Sequence, residues 1–313
     1  MKVLLIRLGQ LGDVVLTTGA VEALYRRGIE VHFLTRKPFD EIFRDDYRVK
    51  RVFVEGEVSI SQLRREGYDY VFDLHGKIKT FLLSRMVNPV KSHTYRKYSL
   101  RRRLSLITKR PHIDIPVYQM YNDALRRIGI ETTQKPRLIV NGKSPVEGDY
   151  MVISPPARYE SRVWRHYDKL DALLDSLPYK RVYLGKSRDL HFLRDRIPPT
   201  GEKVINLMDR TSLKEAMLII RDARLFIGND SGLTHIASAF DVPTVAFFGP
   251  TIPEWGFAPF ASRSMVLEVK YLPCRPCSLH GEKKCARGDH ACMDWMDEKI
   301  AFERIRRFLD LKN

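Results

Sequence analysis

The stretch Leu225 to Trp255, LFIGNDSGLTHIASAFDVPTVAFFGPTIPEW, constrains the fold more than any other part of the chain. Leu225–Gly228 reads as a short buried strand. Asn229-Asp230-Ser231-Gly232 predicts a tight turn that opens a helix over Leu233–Phe240. Proline cannot continue a helix, so Asp241-Val242-Pro243 ends it. Thr244–Phe248 is a second apolar strand, broken by Gly249-Pro250. The result is a β-turn-α-β unit whose turn sets small polar residues at a helix N-terminus. Free N–H groups and the positive end of the helix dipole suit that place to a phosphate. Asp230 can cap the helix, and His235 lies one turn in. An ordinary cap and a packed histidine would account for the same residues.

The rest of the chain repeats this alternation. Lys2–Ile6 predicts a buried strand, Gly9 and Gly12 a close turn, and Val14–Arg27 a helix stopped at Gly28. Strands are expected at Val31–Leu34 and Tyr70–Leu74, and a helix over Tyr118–Ile128 closed by Gly129. Residues 131–148 read as a linker. Strands then fall at Tyr150–Ser154, Arg181–Leu184 and Val204–Leu207, with helices at Tyr167–Leu177, near Asp189–Arg196, and at Leu213–Ala223. Glu298–Leu311 is a terminal amphipathic helix. Strands alternating with helices imply an α/β, doubly wound architecture, with ligands at the carboxyl ends of the strands. The expected domains are 1–145, 149–297 with a cysteine-rich tail, and a terminal helix, 298–313, packing back towards the N-terminal domain.

The 313 residues suit two domains. No apolar run is long enough to span a bilayer. Met1–Ile6 is strand-like and carries no signal-peptide cleavage region, so the cytoplasm is the expected location. The net charge is +16, and its excess is densest from Leu74 to Ile113, with 11 Lys/Arg and no acid. Residues Arg96–Ile107 mix basic and apolar side chains. Such a segment suits an anionic surface or a polyanionic substrate. Nucleic acid and a merely solvated basic face are the competing readings.

D-S-G-L-T-H-I-A-S-A followed by V-P-T-V-A-F-F-G-P-T-x-P-x-W resembles the signature of glycosyltransferase family 9, which contains the ADP-heptose:lipopolysaccharide heptosyltransferases. Arg7-Leu8-Gly9-Gln10-Leu11-Gly12-Asp13 resembles the family's R-x-G-x-x-G-D motif. Arg162-Val163-Trp164 resembles its K-x-W segment, with arginine for lysine. The resemblance implies a GT-B fold, two Rossmann-like domains facing an interdomain cleft. It also implies an inverting, metal-independent transfer of heptose from ADP-heptose to the inner core of lipopolysaccharide, either Kdo–lipid A or a heptosylated core.

Such a transfer needs a base for the acceptor hydroxyl and positive partners for the departing phosphate. Asp13 is the candidate base, with helix capping as its alternative role. No D-x-D motif is present to hold a divalent ion, and no catalytic cofactor is expected. Arg162 and the helix start at Ser231, Gly232 and Thr234 are the expected diphosphate ligands, with Asp230 and His235 beside them. The arginine keeps the family's charge but alters its geometry. By resemblance, Asp189 meets the ribose and Thr211 lies near the adenine edge. Gly9, Gln10, His75, Lys79 and Arg101 form the expected acceptor side. The basic 96–107 segment is expected to rest on the anionic inner leaflet.

Cys274, Cys277, Cys285 and Cys292 lie in one tail region. Their C-x-x-C opening suggests a structural zinc site, with His280 and His290 as substitute ligands. Two disulfides or four unlinked thiols are the alternatives. Two other functions were weighed. A dinucleotide-dependent oxidoreductase would want G-x-G-x-x-G, which neither glycine turn has. A nucleic-acid-binding protein would want a recognised module, and none is evident, so nucleic acid is not an expected partner.

Overall fold

The computed structural model describes residues 1–187, 193, 196–282 and 284–309. The chain divides into two compact units. One is Met1–Tyr98 with Ile115–Gly142; the other is Ser99–Asp114 with Lys143–Asn313.

In the first unit, β1 (Lys2–Ile6), β2 (Glu30–Thr35), β3 (Arg51–Val54), β4 (Tyr70–Asp73) and β5 (Lys91–Thr94) form a parallel sheet in the order β3-β2-β1-β4-β5. Central β1 pairs Leu4 with His32 of β2 and with Val71 of β4. It reads KVLLI without alternation because both its faces are covered, and Val3–Ile6 are fully buried. The helix expected over Val14–Arg27 is two, α1 (Leu11–Leu16) and α2 (Thr18–Tyr25). The hydroxyls of Thr17 and Thr18 donate to the carbonyls of Val14 and Val15, at 2.6 and 2.7 Å. Such local bonds compete with the helical ladder. α3 (Ile60–Arg65) and α4 (Ile78–Met86) follow β3 and β4. α6 (Val117–Ala124) runs into a 3₁₀ turn, Leu125–Ile128, that ends at left-handed Gly129.

The second unit takes α5 (Ser99–Thr108) from the middle of the first unit's sequence. Its strands are β6 (Tyr150–Ser154), β7 (Lys180–Tyr183), β8 (Val204–Asn206), β9 (Leu225–Asn229), β10 (Thr244–Phe248) and β11 (Ser264–Glu268). They are parallel, in the order β11-β10-β9-β6-β7-β8. This is a Rossmann order, with its switch point between β6 and β9. The helices are α7 (Tyr167–Leu174), α8 (Leu213–Arg221), α9 (Gly232–Ala239), α10 (Ala291–Asp294) and α11 (Glu298–Phe308). A capping box between Ser212 and Glu215 starts α8. The core gathers Trp164, Tyr167, Ile227, Phe247 and Met293. The terminal helix, expected to pack towards the N-terminal half, places Ala301 and Ile305 in this core.

Candidate functional site

Gly9, Gln10, Asp13 and His75 follow β1 and β4, and Arg162, Asp230, Ser231 and Gly232 follow β6 and β9, the strands flanking each switch point. In the first unit Arg7 is buried and pins the ends of β1 and β4 together. Its Nη1 donates to the Leu74 carbonyl at 2.7 Å and its Nε to the Gly9 carbonyl at 3.1 Å. The remaining arm forms an ion pair with Asp13. Burial disfavours the charge on Arg7, but Asp13 beside it prevails, and the guanidinium pKa is raised. Tyr121, fully buried on α6, donates its hydroxyl to Asp13 Oδ1 at 3.0 Å. Asp13 stands in the first turn of α1. The residue at the N-cap is Gln10, which makes no side-chain cap hydrogen bond, so Asp13 is not the cap. Its side chain keeps 17% of its surface exposed, so this carboxylate is held in place yet reachable.

Gln10 itself is exposed and has a positive φ of 65°, a strain of about 1–3 kcal/mol of the kind that clusters at binding sites. Gly9 precedes it, half-buried. At the end of β4, Asp73 Oδ1 accepts from the backbone N–H groups of His75 and Gly76, at 2.9 and 2.8 Å. Gly76 has φ +61°, and a Cβ there would lie 2.6 Å from Lys97 Cε. That left-handed φ favours glycine. Lys97 closes it, donating to the Gly76 carbonyl at 2.5 Å. Burial, with Arg7 and Lys97 adding, pushes His75 down to about 4. His75 is therefore neutral at physiological pH, and its buried Nδ1 has no hydrogen-bond partner among the described residues. A neutral imidazole with a free ring nitrogen suits a sugar hydroxyl. Lys79 is exposed and paired with Glu55 at 2.8 Å. Arg101 sits on α5 and belongs to the second unit, apart from the other four expected acceptor residues.

In the second unit the organising residue is one the sequence reading passed over. Asn229 is fully buried at the end of β9. Its Nδ2 donates to the Pro155 carbonyl at 2.5 Å, and its Oδ1 accepts from the Trp164 N–H at 3.0 Å. It thereby ties the loop after β6 to β9. Trp164 anchors the same loop, stacked on Phe247 at 4.2 Å with Nε1 donating to the Met296 carbonyl at 2.7 Å. The tryptophan of the R-V-W segment is thus a packing anchor that positions Arg162.

Arg162 pairs with the carboxylate of Asp230 and also donates to the Asp230 carbonyl. Its Nη1 donates to the His280 carbonyl at 3.3 Å. Its buried Nε has no hydrogen-bond partner among the described residues. Asp230 does not cap α9. The N-cap is Ser231, without a side-chain cap bond, and Asp230 spends its carboxylate on Arg162 and on Thr251 Oγ1, at 2.9 Å. The uncapped start of α9 at Ser231 and Gly232 leaves backbone N–H groups for an anion. His235 is 3% exposed, its ring close to Phe257 and Phe260. Thr211 is half-buried just before the Ser212 cap. Asp189 lies outside the described residues.

The cysteine-rich segment contributes in an unexpected way. Gly281, at φ +82°, packs on the stem of Arg162, and a Cβ there would sit 2.5 Å from both Arg162 Cγ and Cδ. The hydroxyl of Ser161 donates to the Gly281 carbonyl. All four cysteines are free, half-buried thiols. Burial raises Cys277 and Cys292, the latter to about 12, and the other thiols add to both shifts. The donor chemistry would suit zinc. The arrangement does not: among the described residues no group of three or more His, Cys, Asp or Glu side chains is placed to hold a metal ion.

The family model described as glycosyltransferase family 9 (heptosyltransferase) matches residues 59–285. The chain belongs to this family. The Arg7–Asp13 motif precedes the matched region. Among curated family members, the chain is 29% identical over 211 residues to lipooligosaccharide heptosyltransferase 2 of Haemophilus influenzae, covering 63% of this chain and 57% of that protein. It is 26% identical over 307 residues to lipopolysaccharide heptosyltransferase 1 of Pseudomonas aeruginosa, covering 88% and 86%. The match to lipooligosaccharide heptosyltransferase 2 of Campylobacter jejuni spans 32% of that protein. The first two relatives by similarity are thus matched over little more than half and about a third of their length. Family 9 structures share the fold. The Veillonella parvula enzyme superposes with a TM-score of 0.78 at 18% identity, covering 98% and 97% of the two chains. Escherichia coli ADP-heptose lipopolysaccharide heptosyltransferase II gives 0.75 at 18%, covering 99% and 98%. The two Rossmann-like units are those of the GT-B fold.

Proposed function

We propose that this family 9 protein is an inverting heptosyltransferase that takes heptose from ADP-heptose and places it on the inner core of lipopolysaccharide. The observation that carries the proposal is Asp13, fixed by Arg7 and Tyr121 yet open to solvent. In the proposed step the Asp13 carboxylate takes the proton of an acceptor hydroxyl. The oxygen so freed bonds to the anomeric carbon as the bond from that carbon to the diphosphate breaks, and ADP leaves with the electron pair. One displacement inverts the anomeric centre.

Arg162 and the start of α9 meet the charge on the departing diphosphate, without a catalytic metal or other cofactor. The buried, unpartnered Nε of Arg162 supports that role. Asp189 and Thr211 are proposed to meet the ribose and adenine. Gly9, Gln10 and His75 are proposed to receive the acceptor sugar, with Lys79 and Arg101 drawing its anionic groups. No described helix is long and apolar enough to cross a membrane. A cytoplasmic enzyme whose 96–107 segment rests on the inner leaflet fits an acceptor that is a lipid.

Asp13→Asn tests the assignment. The amide keeps the shape but cannot take the proton, so turnover of ADP-heptose should fall below detection while ADP still binds as in the unmodified protein. Ordinary turnover in that variant would remove Asp13 from the mechanism.

A further inference from the structure

α4 is built inside out. Its buried positions are Thr80, Ser84 and Val87 of the following cap, with Thr80 and Ser84 fully covered and Leu83 half-buried beside them. Their hydroxyls are satisfied locally, Thr80 by the Lys77 carbonyl at 3.0 Å and Ser84 by the Phe81 carbonyl at 2.8 Å. The opposite face presents Ile78, Phe81, Leu82, Arg85 and Met86, the i, i+3, i+4, i+7, i+8 spacing of a single stripe. Ile78 is 81% exposed, Phe81 41%, Leu82 52% and Met86 46%. A helix that buries threonine and serine while offering four large apolar side chains to water reverses the usual arrangement. A contiguous apolar face of this kind marks an interaction surface.

The stripe is framed mainly by positive charge, with Glu55, paired to Lys79 at 2.8 Å, as an acidic neighbour. Arg85 lies over the Phe81 ring, 3.6 Å from its centroid, and Lys77, Lys79 and Lys91 flank the helix; no acidic residue occurs from Leu74 to Ile113. α5, in the other unit, has the same design. Leu100, Arg103, Leu104 and Ile107 share one exposed stripe while Ser105 is buried.

We infer that the α4 face is an interfacial plate that seats the first unit on an anionic lipid bilayer. The apolar side chains enter the headgroup boundary, while Lys77, Arg85 and Lys91 remain among the phosphates. This deepens the peripheral-membrane reading given above and rests on it, adding α4 to the 96–107 segment as a second contact. The charge pattern selects the occupant. A second copy meeting this face across a two-fold axis would set the Lys77, Arg85 and Lys91 charges against their own copies, while the one acid beside them, Glu55, is already paired with Arg36 and Lys79. A bilayer with acidic headgroups complements both the stripe and its frame.

The test is sedimentation of the whole protein with vesicles of phosphatidylcholine alone and of phosphatidylcholine mixed with phosphatidylglycerol. Preferential binding to the mixed vesicles is expected, weakening as salt rises. The double variant Ile78→Ser/Leu82→Ser should bind at least tenfold more weakly, and Phe81→Ser several-fold more weakly. Arg85→Gln should lose about fivefold, roughly 1 kcal/mol for one charge near the surface. Thermal protection by ADP, unchanged in every variant, reports folding and the nucleotide site. Equal binding of the unmodified protein to both vesicle types, or of all variants to the mixed vesicles, overturns the plate. So does a dimer in sedimentation velocity that the double variant abolishes. None of these results bears on whether Asp13 performs the transfer, which the Asp13→Asn experiment reads independently.

Discussion

Gly281→Ala should weaken donor binding although residue 281 is proposed to touch no ligand. Two effects follow from the methyl group. The φ of +82° is one that an L-residue adopts at a cost of about 1–2 kcal/mol. The new Cβ would also lie 2.5 Å from Arg162 Cγ and Cδ, where ordinary contact begins at 3.4 Å, so the arginine stem must retreat by about 0.9 Å (3.4 less 2.5). A charge-assisted hydrogen bond to phosphate is worth about 1.5–3 kcal/mol and does not survive such a shift intact. At 1.4 kcal/mol per decade, the Kd for ADP should rise by about 10- to 100-fold. Gly288→Ala separates the two effects. That glycine has φ +79° and nothing within 4 Å of its Cβ. It pays the backbone strain without the collision. Gly281→Ala should therefore lose at least as much thermal stability as Gly288→Ala, and only Gly281→Ala should lose ADP affinity by titration calorimetry. Equal ADP affinity in the two variants would refute the argument that this loop sets the position of Arg162.

Tyr121→Phe removes one of the two groups holding Asp13. Burial first, and the Asp13 carboxylate after it, keep the Tyr121 hydroxyl protonated well above its usual range, so it remains a donor under all assay conditions. Its loss should lower kcat by about tenfold, the low end for a hydrogen bond to a charged group, and leave ADP affinity unchanged; an unaltered kcat would show that Arg7 suffices. His75 predicts a pH dependence of stability. Its pKa is about 4 in the folded protein against an ordinary 6.5, so below pH 6.5 the unfolded chain binds a proton that the folded imidazole refuses. The stabilisation is complete above pH 6.5 and is lost as pH falls towards 4. His75→Gln should flatten the fall in Tm over that interval.

The sequence was most legible where the chemistry is local. The Leu225–Phe248 unit forms nearly as expected because apolar strands, a turn and a proline stop leave little choice. Edge strands β3, β5 and β11 escaped notice. KSHT of β5 lacks apolar character because an edge strand beside solvent does not need it. α4 was missed for a related reason: its apolar residues face outward, so the pattern gives no core-facing stripe. Asp230 looked like a helix cap from its neighbours, but its partner Arg162 lies 68 residues away. The same holds for Asn229, Tyr121 and Gly281, whose roles depend on residues 65, 108 and about 119 positions distant. The four cysteines are close in sequence, and among the described residues they are not grouped with a third His, Cys, Asp or Glu as metal ligands would be.

The assignment of Ser99–Asp114 to the second unit has a practical corollary. The polypeptide passes between the two units at 98/99, 114/115 and 142/143. A fragment cut at residue 142 would thus carry Arg102 on α5 and Lys109 just after it without their acceptors, the carbonyls of Trp255 and Pro276. An autonomous first half should instead be made by joining residue 98 to residue 115 through a short flexible bridge. The second half would need residues 99–114 restored to it, supplied as a peptide or spliced ahead of Lys143.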